Sequence, residues 1–140
     1  MKIKIIPCLQ DNYSYVIIDE KKNIACVVDP SEANPIIKFL ESKKINLKFI
    51  LNTHHHYDHV GGNCELKKKY GASVIGFKGD QDRIPEIDIF VDDKEIWKNE
   101  SFEAKIIHIP GHTLGHICFY FYKEEIIFTG DTLFSLGCGR

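Results

Sequence analysis

Thr53-His54-His55-His56-Tyr57-Asp58-His59 is an HxHxDH run, which places four metal-ligating side chains within six residues. Side chains two apart in an extended chain point the same way, so His54, His56 and Asp58 are expected to converge on one side, with His59 turning in as a helix begins. Imidazole and carboxylate together suit zinc, iron or manganese, and the lack of thiolates argues against a closed structural zinc site. His55 points the other way and is expected to pack or to support the loop. Gly61 and Gly62 follow directly and are expected to allow close backbone approach at the loop-to-helix junction.

Two further candidates lie downstream, each at the end of a strand-like run. They are His112 in Pro110-Gly111-His112-Thr113-Leu114-Gly115-His116, and Asp131 in Ile126-Ile127-Phe128-Thr129-Gly130-Asp131-Thr132. Alone, each reads more readily as a turn residue than as a ligand. Beside the HxHxDH run, both fit one metal site. Such a site activates water for hydrolysis. No GxSxG elbow and no cysteine next to a histidine motif points to covalent catalysis instead, and Gly137-Cys138-Gly139 reads as backbone geometry.

The elements that must position these residues are short. Residues 3–6, 13–18 and 24–28 are β-branched and aromatic runs that predict an antiparallel meander, with Tyr13 and Tyr15 packing into the core. Asp29-Pro30-Ser31 predicts capping of a helix over about 32–43, whose Ile36, Ile37 and Leu40 share a face. A strand follows at 49–51, then a helix over about 60–70 that ends at Gly71, and sheet again at 74–75. The polar stretch 80–100 precedes three strands at 104–109, 116–122 and 125–129. Strands alternating with helices in the first half predict an α/β class with much antiparallel sheet.

The 140 residues, 44% of them hydrophobic, predict one domain with a real core. A net charge of -2 gives no field for nucleic acid. No apolar run is long enough for a signal peptide or a membrane span, so a cytoplasmic protein is expected. Five cysteines with no CxxC pair argue against a disulfide framework and for mostly buried thiols.

THHHYDH, PGHTLGH and FTGDTLFSLGCGR, with Val28-Asp29-Pro30, together resemble the metallo-β-lactamase superfamily. The last segment and Pro7-Cys8-Leu9-Gln10-Asp11-Asn12-Tyr13-Ser14-Tyr15 narrow the resemblance to its hydroxyacylglutathione hydrolase (glyoxalase II) family. The similarity extends over essentially the whole chain. It implies the N-terminal portion of an αββα sandwich, with the second half and a C-terminal helical domain of the family missing from residues 1–140. It further implies two divalent metal ions, zinc first, with iron or manganese as alternatives. His54, His56 and His112 would hold the first, Asp58 and His59 the second, and Asp131 would bridge both.

In this family Asp131, with Asp58, belongs to the catalytic machinery, and Arg140 stands where a basic residue contacts glutathione. Asp29 resembles an early aspartate that steadies the histidine loop. The substrate would be a glutathione thioester such as S-D-lactoylglutathione. A further family histidine that completes the second site has no counterpart after His116. That gap admits a second reading, a metal-binding remnant without activity. Persulfide dioxygenases and lactonases of the superfamily are further alternatives. The family is monomeric, whereas an uncovered sheet face and edge in this chain would favour self-association.

Overall fold

β3 (Ile24–Val28) is buried along its whole length, with Ala25 and Val27 turned to one side and Ile24, Cys26 and Val28 to the other. A strand apolar on both faces belongs in the middle of a layered structure. The computed structural model describes all of residues 1–140. Around β3 it builds a six-stranded sheet from β1 (Lys2–Cys8), β2 (Asn12–Asp19), β4 (Asn46–Leu51), β5 (Ser73–Phe77) and β6 (Ile87–Val91), in the order β1-β2-β3-β4-β5-β6. The first three strands are antiparallel, and β3 to β6 run parallel.

Parallel neighbours need crossovers, and helices supply the first two. α1 (Asn34–Lys43) joins β3 to β4, and the segment holding α2 (Tyr57–Val60) and α3 (Asn63–Tyr70) joins β4 to β5. Ile36 and Leu40 of α1 and Leu66 of α3 pack with Ala25, Val27, Leu47, Ile50 and Val74. The opposite face of the sheet meets a second, antiparallel sheet of order β10-β9-β8-β7. Its strands are β7 (Ile96–Asn99), β8 (Phe102–His108), β9 (Ile117–Phe121) and β10 (Ile126–Phe128). Phe49 anchors this inner layer, edge-on to Trp97 and Phe102 with ring centroids 5.2 and 6.0 Å away. The result is helix, sheet and sheet, the layer sequence of the N-terminal portion of an αββα sandwich. A small hairpin, β11 (Leu133–Phe134) with β12 (Gly137–Cys138), follows β10.

Three local expectations need correction. α1 starts at Asn34 with no side-chain cap, because Pro35 supplies the first-turn geometry and the Asp29 carboxylate bonds elsewhere. The helix expected over 60–70 is two helices. A Cβ at Gly61 would run into the Ser31 carbonyl, and one at Gly62 would come within 3.1 Å of Pro30, so the chain bends where it touches the segment after β3. Tyr13 is exposed rather than core, whereas Tyr15 packs on Phe128 at 5.3 Å. The outer face of the second sheet is mixed: Ile96, Ile107, Tyr120 and Ile127 share it with Lys98, Glu103 and Lys105, and Glu103 accepts from Tyr122 at 2.6 Å and pairs with Lys123 at 2.7 Å. Further exposed apolar side chains gather in the hairpin that follows β10, at Leu133, Phe134 and Leu136.

Candidate metal centre

The end of β4 delivers the histidine run, and backbone bonds from both sheets fix it there. Asn52 N–H donates to the Ile75 carbonyl at 3.0 Å, and the Thr53 carbonyl accepts from Ile117 N–H at 2.9 Å, linking the first sheet to β9. Asp29 follows β3 in a left-handed conformation, φ 49°, which aspartate tolerates better than most residues. Its buried carboxylate accepts Thr53 N–H at 2.8 Å, Thr53 Oγ1 at 2.6 Å and His59 Nδ1 at 2.9 Å.

These contacts settle where the protons lie. A carboxylate only accepts, so the Thr53 hydroxyl gives its one proton to Asp29. Thr53 Oγ1 must then accept from His54 Nδ1, 2.9 Å away, which leaves a lone pair on His54 Nε2. That nitrogen is buried and has no hydrogen-bond partner, and the same is true of His59 Nε2. Burial drives the His54 pKa strongly down, so the ring stays neutral and able to ligate. His112 Nδ1 donates to the Arg140 carbonyl at 3.3 Å, turning its Nε2 toward the other imidazoles. Hydrogen bonds of this kind, made by the far ring nitrogen, orient metal-ligating histidines.

The freed atoms meet in two groups that share Asp131. His54, His56, His112 and Asp131 form one, and Asp58, His59 and Asp131 the other. In the first, Asp131 Oδ2 lies 3.1 Å from His112 Nε2 and 3.7 Å from His54 Nε2, and His112 Nε2 lies 3.1 Å from His56 Nδ1. In the second, His59 Nε2 lies 3.2 Å from Asp131 Oδ1 and 3.6 Å from Asp58 Oδ2. Ligands about 2.0 to 2.1 Å from a tetrahedral ion sit roughly 3.3 Å from one another, so these spacings suit two metal ions. Burial opposes a charge on His59, but Asp29 and Asp131 outweigh it and hold its pKa up to about 10. A place that binds a proton this firmly offers the same field to a cation.

Asp131 is set by its neighbours. Gly130 takes φ 54°, and a Cβ there would come within 2.5 Å of Thr53 Oγ1 and 2.7 Å of His116 Nε2. His116 Nε2 accepts Asp131 N–H at 3.2 Å, and burial holds this ring's pKa down to about 4, which keeps it neutral and able to accept. His55 lies outside both groups, its Nδ1 3.6 Å from the buried Asp80 carboxylate. A cavity of about 780 Å³, lined in part by Asn12, Tyr13, Phe128, His59 and Asp131, opens beside the second group. Sequence reasoning assigned no part in the site to Asn12, Thr53, Asp80 or His116. Thr53 and His116 do stand inside the two histidine motifs, the only signal that marked them.

The family described as "Metallo-beta-lactamase superfamily" matches residues 9–140. A hydroxyacylglutathione hydrolase from Pelagibacter ubique (strain HTCC1062) is 77% identical over all 140 residues, and one from Methylococcus capsulatus (strain ATCC 33009) is 45% identical over the same length. The chain spans 59% and 55% of the length of these two relatives. In fold it is similar to the crystal structure of BLEG-1 B3 metallo-beta-lactamase, with a TM-score of 0.91 at 24% identity over 99% of this chain and 76% of that one. A helix-sheet-sheet fold that gathers its histidines and aspartates at the strand ends, and a family match running from Leu9 to Arg140, lead to one assignment: the chain belongs to the metallo-β-lactamase superfamily.

Proposed function

We propose that residues 1–140 form the N-terminal, metal-bearing portion of the metallo-β-lactamase-like domain of a hydroxyacylglutathione hydrolase. The enzyme would cleave S-2-hydroxyacylglutathione, with S-D-lactoylglutathione giving D-lactate and glutathione, in cytoplasmic methylglyoxal detoxification. The observation that carries this reading is Asp131, whose two oxygens each belong to a different ligand group beside an open cavity. The substrate class comes from the 77% identical relative, which carries that enzyme's name.

His54, His56, His112 and Asp131 would hold one ion, and Asp58, His59 and Asp131 the other. Zinc is the ion we propose first, and iron and manganese accept the same donors. Bound divalent ions supply water of near-neutral pKa and a Lewis acid for the thioester carbonyl. Asp58 and Asp131 are the carboxylates nearest that chemistry. Asp131, whose ionisation is favoured by His59 against its own burial, would orient the attacking water and take up its proton. Glutathione leaves as a thiolate, so the reaction asks for no strong general acid. Arg140, with its carbonyl on His112, leaves its guanidinium to meet the carboxylates of the glutathione moiety.

The test is thiol release from S-D-lactoylglutathione by the zinc-loaded chain, with an Asp131→Asn variant alongside. Metal-dependent turnover that vanishes in the variant supports the thioesterase. A folded chain that binds metal without turnover overturns activity for these 140 residues and favours the remnant reading.

A further inference from the structure

The second ligand group takes two adjacent side chains from α2, a single helical turn, and each is held from a different strand. Asp29, after β3, holds His59. Asn12, the first residue of β2, holds Asp58: its Nδ2 donates to Asp58 Oδ2 at 3.0 Å and, more weakly, to the Asp58 carbonyl at 3.4 Å. No other group donates a hydrogen bond to that carboxylate. Asn12 is itself placed by the β1–β2 hairpin, where it pairs with Cys8 across a turn that begins with Leu9 in the left-handed region, φ 51°.

We infer that Asn12 is a positioning residue for the second metal site, one that aims the Asp58 carboxylate at a divalent cation without compensating its charge. The inference rests on the two-ion reading above. An isolated helical turn does little to fix its own side chains. A free Asp58 would therefore sample rotamers, most of them directed away from His59 and Asp131. A lysine or arginine at position 12 could orient it as well, but would neutralise it and repel the incoming ion. The asparagine amide donates two N–H groups and carries no charge. A carboxylate oxygen has lone pairs enough to accept one N–H and still face a cation, so Asp58 Oδ2 keeps its capacity to ligate. Asn12 also lines the cavity that His59 and Asp131 border, which puts this contact at the mouth of the site.

The test titrates Co²⁺ into the metal-free chain and follows its visible absorption, with bound metal counted by equilibrium dialysis. The parent is compared with Asn12→Ala and Asn12→Leu, the second of which keeps the branched shape and removes both donors. The parent is expected to take two ions. Both variants should keep the first at parental affinity, with thermal midpoints of the metal-free chains unchanged, while the second weakens about 10- to 100-fold. Two ions bound at parental affinity by either folded variant would overturn the inference. So would equal weakening of both sites, or failure of both variants to fold, since each means that Asn12 serves the structure at large. A parent that binds only one ion removes the two-ion reading itself, and this outcome is read from the parent alone.

Discussion

Asp29 Oδ2 sits 2.9 Å from His59 Nδ1 across a buried contact, and the same oxygen holds the Thr53 hydroxyl that fixes the His54 tautomer. One carboxylate thus orients a histidine of each ligand group.

Replacing it should disturb both. In Asp29→Asn the amide N–H₂ must face at least one of three donors, leaving buried groups unpaired. We expect a loss of about 3 kcal/mol of stability, measured by urea unfolding of the metal-free chain. Metal affinity at both sites should fall, and loss at one site alone would show that Asp29 acts only through His59.

The metal-free chain should be most stable near pH 6.5. His59 is held up to about 10 in the folded chain, so its contribution is complete below 6.5 and is lost as pH rises through about 10. Burial holds His116 down to about 4 and His54 lower still, so below 6.5 the unfolded chain binds two protons that the folded chain refuses, and stability falls toward pH 4. The alkaline slope should approach roughly 1 kcal/mol per pH unit within its window, and the acid slope about twice that, since two histidines contribute to it. Urea midpoints at a series of pH values test this, and a profile still rising from pH 6.5 to 9 would contradict the His59 assignment.

Gly115 lies directly on the Asp80 carboxylate, which is 2% exposed and whose Oδ2 has no hydrogen-bond partner. Gly115→Ala should cost about 2 kcal/mol by overpacking. In an Asp80→Ala background the cost should largely disappear. A double-mutant cycle is expected to give a coupling of about 1 kcal/mol or more, and additivity would show that the two residues do not press on each other.

Gly130→Ala combines backbone strain at φ 54° with contact against Thr53 and His116. We expect it to destabilise the fold by about 2 kcal/mol and to displace Asp131, so that metal binding drops by more than stability does. Chelator competition beside urea unfolding separates the two effects.

The convergence of His54, His56, Asp58 and His59 was legible because their spacing is local. The extended-chain argument nevertheless covers only part of it. Asp58 reaches the site from a helical turn, which swings it beside His59. His112 and Asp131 were legible as residues at strand ends, since short apolar runs stop just before them. Asn12 was not, because its bond to Asp58 joins residues 46 apart and depends on how β2 registers against the rest of the sheet. The break at Gly61-Gly62 depends on the same kind of distant contact, with Ser31 and Pro30. Strand and helix patterns predict elements from neighbours in sequence, and such patterns carry no record of which loops will touch.

The ligand groups draw on the loop after β4 in one sheet and on the segments after β8 and β10 in the other, with Asp131 common to both. On the ribosome, Asp131 is the last of these residues to emerge. A growing chain can gather the HxHxDH run early, yet it has no complete pocket to fill until both sheets have docked. Capture by the full ligand set would therefore wait for Asp131, and the ion would meet strands already paired rather than nucleate them.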